Sequence, residues 1–308
     1  MNTLKFEKLL VCLDLTEMDD YLMRYARFLA DTFQSTVVKF IHVMDSYEYP
    51  EELSELFSDD KVNSLKESIT EDLSERMNAL FDGSAVQPEL VLEEGHTIEH
   101  IVRHADKNKI DLTVLGKKID FEGKGGVGKK IIGLIPGTVL LVTETSPLHF
   151  NKILVRTNFA QPSVVALQAA AYLKEQGAAE SYELHHVYKL PYNYFPVVDS
   201  KNMQKVKARL SPVIEKSYRR FIEKFKVSTD IPFAFSVNAK GDEAQSIYDY
   251  AKKNSFDLVI SGTSMKSSFA MLITDSVSEK LADEDKNVPL MIVKDQKKFT
   301  SFFSALFN

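Results

Sequence analysis

The chain has 308 residues, 44% apolar and 27% charged, with 12 glycines and 10 prolines. At about 150 residues per domain this predicts two globular domains and excludes fibrous, collagenous and disordered classes. Lys plus Arg number 38 against 44 Asp plus Glu, a formal charge of −6, which argues against a general polyanion binder. The single cysteine, Cys12, excludes an internal disulfide and any zinc site built on two or more cysteines, and it fits a reducing compartment.

The first element is LLVCLD, Leu9 to Asp14, an apolar run of the kind that forms a strand buried on both faces. It is too short for a secretory h-region, and no apolar stretch of about 18 residues occurs, so a cytoplasmic protein without a membrane span is expected. Thr16-Glu17-Met18-Asp19 has the form of a capping box, opening a helix with Leu22, Tyr25, Ala26 and Leu29 inward. STVVKFIHVM is the second strand, and a helix over 60–82 carries Val62, Leu65, Ile69, Leu73, Met77 and Leu80 at helical spacing. QPELVLEE, IEHIVRHADKN, DLTVLG and TVLLVTE follow as strand, helix, strand and strand.

The turn-rich TETSPLHFNK around Pro147 marks a joint, and beyond it the pattern repeats. Gly95 to Gly116 aligns with Gly241 to Gly262 without a gap, eight of the 22 positions being identical. At an offset of 144, Lys8 to Asp14 meets Lys152 to Asn158, and His42-Val43 meets His186-Val187. The second copy has Pro162 in the first turn of its opening helix and a long helix over 201–226. Strands separated by helices require parallel crossovers. Each copy is therefore expected to be an α/β domain with a doubly wound five-stranded parallel sheet, over 1–147 and 148–295, followed by an apolar tail at 296–308.

In open parallel sheets ligands bind beyond the carboxyl ends of the strands, where the strand order reverses. Strand one ends at Asp14 or Asn158, and strand four at Gly116 or Gly262. A carboxylate there can accept hydrogen bonds from ribose hydroxyls, and a glycine lets backbone amides approach a phosphate. With the strand ends LLVCLD and FIHVMD, the segments DLTVLG and DLVISG, and the closing strands TVLLVTE and PLMIVKD, the chain resembles the universal stress protein family over nearly both halves. The resemblance implies tandem Rossmann-like, adenine nucleotide alpha hydrolase-like domains that bind ATP or AMP, and a stress-response regulator rather than an enzyme.

Nucleotide-binding members of that family carry Gly, two residues, Gly, nine residues, then Gly followed by Ser or Thr. In the second half the spacing survives as Gly262, Met265, Asp275 and Ser276, with two of three glycines gone, Asp275 facing the phosphates with a like charge, and Asn158 in place of Asp. The first half has Gly116, Ile119 and, after a loop about four residues shorter, Gly125-Gly126, without the hydroxyl. Its loop KKIDFEGKGGVGKK supplies Lys117, Lys118, Lys124, Lys129 and Lys130 among Gly123, Gly125, Gly126 and Gly128, a composition able to cradle phosphates through backbone amides. The expected site lies in the first copy only. Asp14 is placed on ribose, Gly116, Gly125, Gly126 and Lys124 on the phosphates of ATP or AMP, with Mg2+ as an optional companion. His42 and His186 either line the adenine pocket, as the resemblance implies, or are hydrogen-bonded strand-end histidines.

Other signals have simpler readings. GKGGVGKK is close to a deviant P-loop, but six residues separate it from Gly116, Lys130 replaces the hydroxyl, and Pro136 stops the next helix after about two turns. His96, His100 and His104 fall on one helix opposite Ile98, Ile101, Val102 and Ala105, so they are expected on its wet face rather than on a metal. His185 and His186 alternate across a strand and cannot form a ligand pair. The helix from Lys201 to Lys226 holds nine basic residues against Glu215 and Glu223, with Met203, Val206, Leu210, Val213, Ile214, Tyr218, Ile222 and Phe225 as its inward stripe. It reads as a solvated face bent or interrupted at Pro212, and no nucleic acid is expected. The tail, with Phe299, Phe302, Phe303, Leu306 and Phe307, is expected to dock within a dimer.

No catalytic elbow, zincin motif or paired carboxylates appear, and Cys12 lies within a buried strand. Three readings compete: a nucleotide-responsive regulator, a scaffold of the same fold acting through protein contacts, and an ATPase working through the 123–130 loop. The two domains are expected to form an intrachain pseudo-dimer through TVLLVTE and PLMIVKD, with a homodimer of whole chains as an additional state.

Overall fold

The computed structural model describes residues 5–44, 59–117, 131–190, 200–238, 242–263, 276–283 and 287–294. The described residues within 5–117 and 134–144 form one compact unit, and 131–133 with those within 145–294 form the other. In the first, β1 (Lys8–Leu13), α1 (Met18–Phe33), β2 (Val37–Met44), α2 (Asp59–Phe81), β3 (Pro88–Glu94), α3 (Thr97–Lys107), β4 (Leu112–Gly116) and β5 (Thr138–Val142) follow in order. In the second, the succession is β6 (Lys152–Thr157), α4 (Gln161–Glu175), β7 (Ser181–Lys189), α5 (Ser200–Phe225), β8 (Phe233–Asn238), α6 (Glu243–Lys253), β9 (Leu258–Thr263), α7 (Ser276–Asp283) and β10 (Leu290–Lys294).

The strands of the first unit lie in the order β3-β2-β1-β4-β5 and those of the second in the equivalent order β8-β7-β6-β9-β10. Every registered pair within each unit is parallel. The expected doubly wound five-stranded sheet is therefore present in both copies. Leu9, Leu10 and Val11 are all fully buried, because helices cover both faces of a central parallel strand. β3 is an edge strand, and it presents Glu89, Glu93 and Glu94, charges that oppose pairing with another strand.

Several residues common to both copies serve this frame. Asp111 Oδ2 accepts the backbone N–H groups of Glu7 (3.1 Å) and Lys8 (2.9 Å), and Asp257 Oδ2 accepts that of Lys152 (2.9 Å). Asn108 and Asn254 each donate from the side chain to a carbonyl four residues back, at His104 and Tyr250. The repeat identities at these positions anchor the start of a strand to the following crossover, a structural role rather than a chemical one.

Two inward assignments fail. Leu65 and Val213 are 52% and 59% exposed. Val213 precedes the buried Ile214 and lies about 100° from it around the helix axis, on the solvent side. Leu65 lies away from the face defined by Leu73, Met77 and Phe81, which are fully or almost fully buried. Helix α5 also continues through Pro212 without interruption.

Candidate functional site

The strand order of the first unit reverses at β1, since the chain runs outward to β2 and β3 and then crosses back to β4. Cys12 pairs with Leu115 and Leu13 with His42, so Asp14, Gly116 and His42 stand at the carboxyl edge of three adjacent strands. Asp14 and Gly116 are exposed, and His42 is buried. These three expected residues are thus brought together. Lys124, Gly125 and Gly126, with the rest of the 118–130 loop, lie outside the described residues.

The turn after β1 is built by a residue the sequence reading treated as half of a capping box. Asp19 is fully buried, and its carboxylate accepts the N–H groups of Asp14 (3.0 Å) and Leu15 (2.9 Å). Thr16 Oγ1 donates to Asp14 Oδ1 at 2.5 Å, and α1 has no side-chain cap of the expected kind. The bonds from Asp19 reach one and two residues further back than the Thr16 amide a capping box requires, where Leu15 takes a left-handed φ of 59°. Burial pushes the Asp19 carboxyl above the usual carboxylate range, and the nearby Asp14 charge adds to that, while the two amides oppose it.

Gly116 faces the first turn of α1: a methyl group there would come 2.7 Å from Met18 Cγ. His42 Nδ1–H donates to the Leu13 carbonyl at 3.0 Å, which fixes its tautomer, so His42 is a hydrogen-bonded strand-end histidine. His186 does the same toward Thr157 at 2.9 Å.

The second crevice is built differently. Asn158 Oδ1 accepts the Ala160 N–H and the Ser163 hydroxyl, and Ser163 Oγ accepts the Asn158 N–H, so Asn158 and Ser163 replace Asp14 and Asp19. Phe159 has the same left-handed φ of 59° as Leu15. Its ring lies 4.5 Å from the His186 ring, with Phe221 at 6.0 Å and Phe233 at 5.9 Å, whereas Leu15 is 44% exposed. Burial lowers the His186 pKa, outweighing the Thr157 bond that would raise it. Gly262 is tighter than Gly116, since an added Cβ would sit 1.8 Å from the Pro162 carbonyl oxygen. The close approach of the Pro162 backbone requires a glycine at 262.

The sequence reading missed Asp19, Ser163, Phe159 and the buried Lys294. Phe159 had a readable signal, the aromatic that stands 144 residues after Leu15. Lys294 ends β10, and its ammonium donates to the carbonyl of Ile132, with its pKa lowered to about 7 by burial. The α3 histidines also depart from expectation. His96 is exposed, but His100 is half-buried with Nδ1 3.4 Å from Glu93, and the His104 Nε2 is buried without a hydrogen-bond partner. Burial lowers the His104 pKa. Among the described residues no group of three or more His, Cys, Asp or Glu is placed to hold a metal ion. His185 and His186 have separate partners, Ser236 Oγ and the Thr157 carbonyl, as alternation across a strand requires. Burial raises the Cys12 thiol well above its ordinary range.

The model of the universal stress protein family matches residues 5–143 and again 149–294. The chain belongs to the universal stress protein family. It is a tandem, two-domain member. Among solved structures, it is similar to a universal stress protein from Archaeoglobus fulgidus DSM 4304, with 12% identity, a TM-score of 0.64, and coverage of 94% of this chain and 97% of that one. A putative universal stress protein from Pseudomonas aeruginosa UCBPP-PA14 gives 12% identity and a TM-score of 0.61, covering 97% of both chains. Likenesses at this identity carry the fold. No curated protein matches the chain significantly. No described helix is long and apolar enough to cross a membrane.

Proposed function

We propose that the first domain of this tandem universal stress protein binds an adenine nucleotide, ATP or AMP, and that the second does not. The observation that carries the reading is the difference between the two crevices. The first offers an exposed carboxylate, Asp14, beside an exposed glycine, Gly116, at the strand-order reversal. The second has a neutral amide, Asn158, where the first has a carboxylate, a buried glycine, Gly262, against Pro162, and the Phe159 ring 4.5 Å from that of His186. Asp14 accepts the ribose hydroxyls, the Gly116 backbone gives the phosphates a close approach, and His42 supports the adenine end. Lys124, Gly125 and Gly126 complete the phosphate side, with Mg2+ alongside ATP. The protein acts as a cytoplasmic regulator without catalytic turnover, and its two domains pair as a pseudo-dimer, with a homodimer as a further state.

Mass analysis of the ligand released from freshly purified protein is the direct test, with thermal shift in about millimolar ATP and Mg2+ as its companion. ATP or AMP at substantial occupancy, lost in Asp14→Ala and retained in Asn158→Ala, supports the proposal. Empty protein with no thermal shift sinks it and favours the scaffold reading.

A further inference from the structure

Each repeat carries one long helix between its second and third strands, and these two helices have opposite charge. Helix α2 holds six acidic residues against three basic, and α5 eight basic against two acidic. Placement sharpens the contrast. On α2, Lys66 is paired with Glu94, and Arg76 with Asp20 and Asp72. That leaves Glu67, Glu71 and Glu75, each a turn from the next and all exposed, with no ion-pair or hydrogen-bond partner among the described residues. On α5, Lys205, Arg209, Lys216 and Arg220 fall within about 60° of one another around the helix axis. All four are exposed and equally without such a partner. A shallow depression of about 540 Å3 beside this face is lined by Pro212, Lys216, Arg219 and Arg220 together with Glu215 and Glu223, the two acidic residues of the helix.

Like charges four residues apart repel, and here they recur at Glu67/Glu71/Glu75, Lys205/Arg209 and Lys216/Arg220 with no ion pair to relieve them among the described residues. An exposed apolar side chain, Val213, borders the basic stripe on α5. Two rods of opposite sign and similar pitch are complementary surfaces. We propose that they are the two halves of one contact, through which α5 of one copy of this chain docks on α2 of a second copy. The contact is isologous where it closes reciprocally in a two-fold pair and heterologous where it propagates along a chain of copies. A nucleic acid would use only the basic stripe and leave the acidic one unexplained, and the chain's charge of −6 opposes such a partner. The inference is independent of nucleotide binding.

Sedimentation velocity of the full chain at about 20 mM and about 0.5 M salt tests it, since an exposed charge contact weakens steeply over that range. Wild type is expected to associate at low salt and disperse at high salt. The triple variant Arg209→Glu, Lys216→Glu, Arg220→Glu and the triple variant Glu67→Lys, Glu71→Lys, Glu75→Lys should each self-associate about tenfold or more weakly. An equimolar mixture of the two should recover association, a rescue that damaged folding cannot mimic. Wild type that is monomeric at low salt, association indifferent to salt, or a mixture that stays monomeric overturns the contact. Binding of a single-stranded oligonucleotide that the first triple abolishes, in a wild type that remains monomeric, overturns it in favour of a polyanion.

Discussion

Replacing Gly262 by alanine should damage the second domain more than the matched change at Gly116 damages the first. The new Cβ would stand 1.8 Å from the Pro162 carbonyl oxygen, 2.5 Å from its carbon and 3.2 Å from its Cα. Comfortable contact begins near roughly 3.5 Å, so β9 and the first turn of α4 would have to part by about 1.5 Å. Both are backbone segments of the core, and overpacking of that kind costs about 3 kcal/mol or more. At Gly116 the obstacle is a side chain, Met18 Cγ at 2.7 Å and Leu22 Cδ1 at 3.4 Å. A strained methionine rotamer accommodates it for about 1 kcal/mol. Calorimetry should show a transition lowered by about 6–12 °C in Gly262→Ala and by about 2–4 °C in Gly116→Ala. Adding Met18→Ala should relieve part of the Gly116→Ala defect, so the two changes will not add. A Gly262→Ala protein that melts within about 2 °C of wild type would refute the packing argument and return the glycine to a ligand-binding role.

Three further outcomes are expected. Lys294→Met should stabilise the protein below pH 7. The folded pKa of about 7 lies below the unfolded value of 10.5, so wild type loses stability as pH falls from that unfolded value toward 7, and the variant does not. Urea titrations at several pH values read the difference. Asp19 has the opposite sign: its folded pKa is raised, so its contribution is present below about pH 4 and fades as pH climbs through the folded value. Asp19→Asn should therefore be most harmful near pH 4, and a penalty that grows toward neutrality would contradict the burial effect. Phe159→Ala should cost about 2–3 kcal/mol through lost ring contacts, and by NMR titration it should raise the His186 pKa toward its ordinary value as burial eases.

The fold was legible because its signals are local and repeated. Runs such as Leu9–Val11 are apolar without alternation since both faces are covered, and the alignment of Gly95–Gly116 with Gly241–Gly262 imposes one topology on both halves. The strand-end residues Asp14, His42 and Gly116 were placed together for the same reason. Side-chain direction was harder to read. His100 and His104 turn toward β3 and its glutamates although the apolar stripe of α3 pointed elsewhere, and Val213 points outward although its neighbour Ile214 is buried. Asp19 and Phe159 act across a turn that depends on one left-handed residue, which no hydrophobic period announces. Phe159 reaches Phe221 and Phe233, partners more than 60 residues distant in sequence.

That left-handed residue has a wider consequence. Leu15 and Phe159 share a φ of 59° although one is aliphatic and the other aromatic. The same backbone mount thus carries different cargo, and exchanging the side chain alters what borders the strand end without rebuilding the turn beneath it. Duplicated domains with such a mount can drift apart by single substitutions, one copy keeping an exposed aliphatic residue while its twin carries a ring packed among other aromatics.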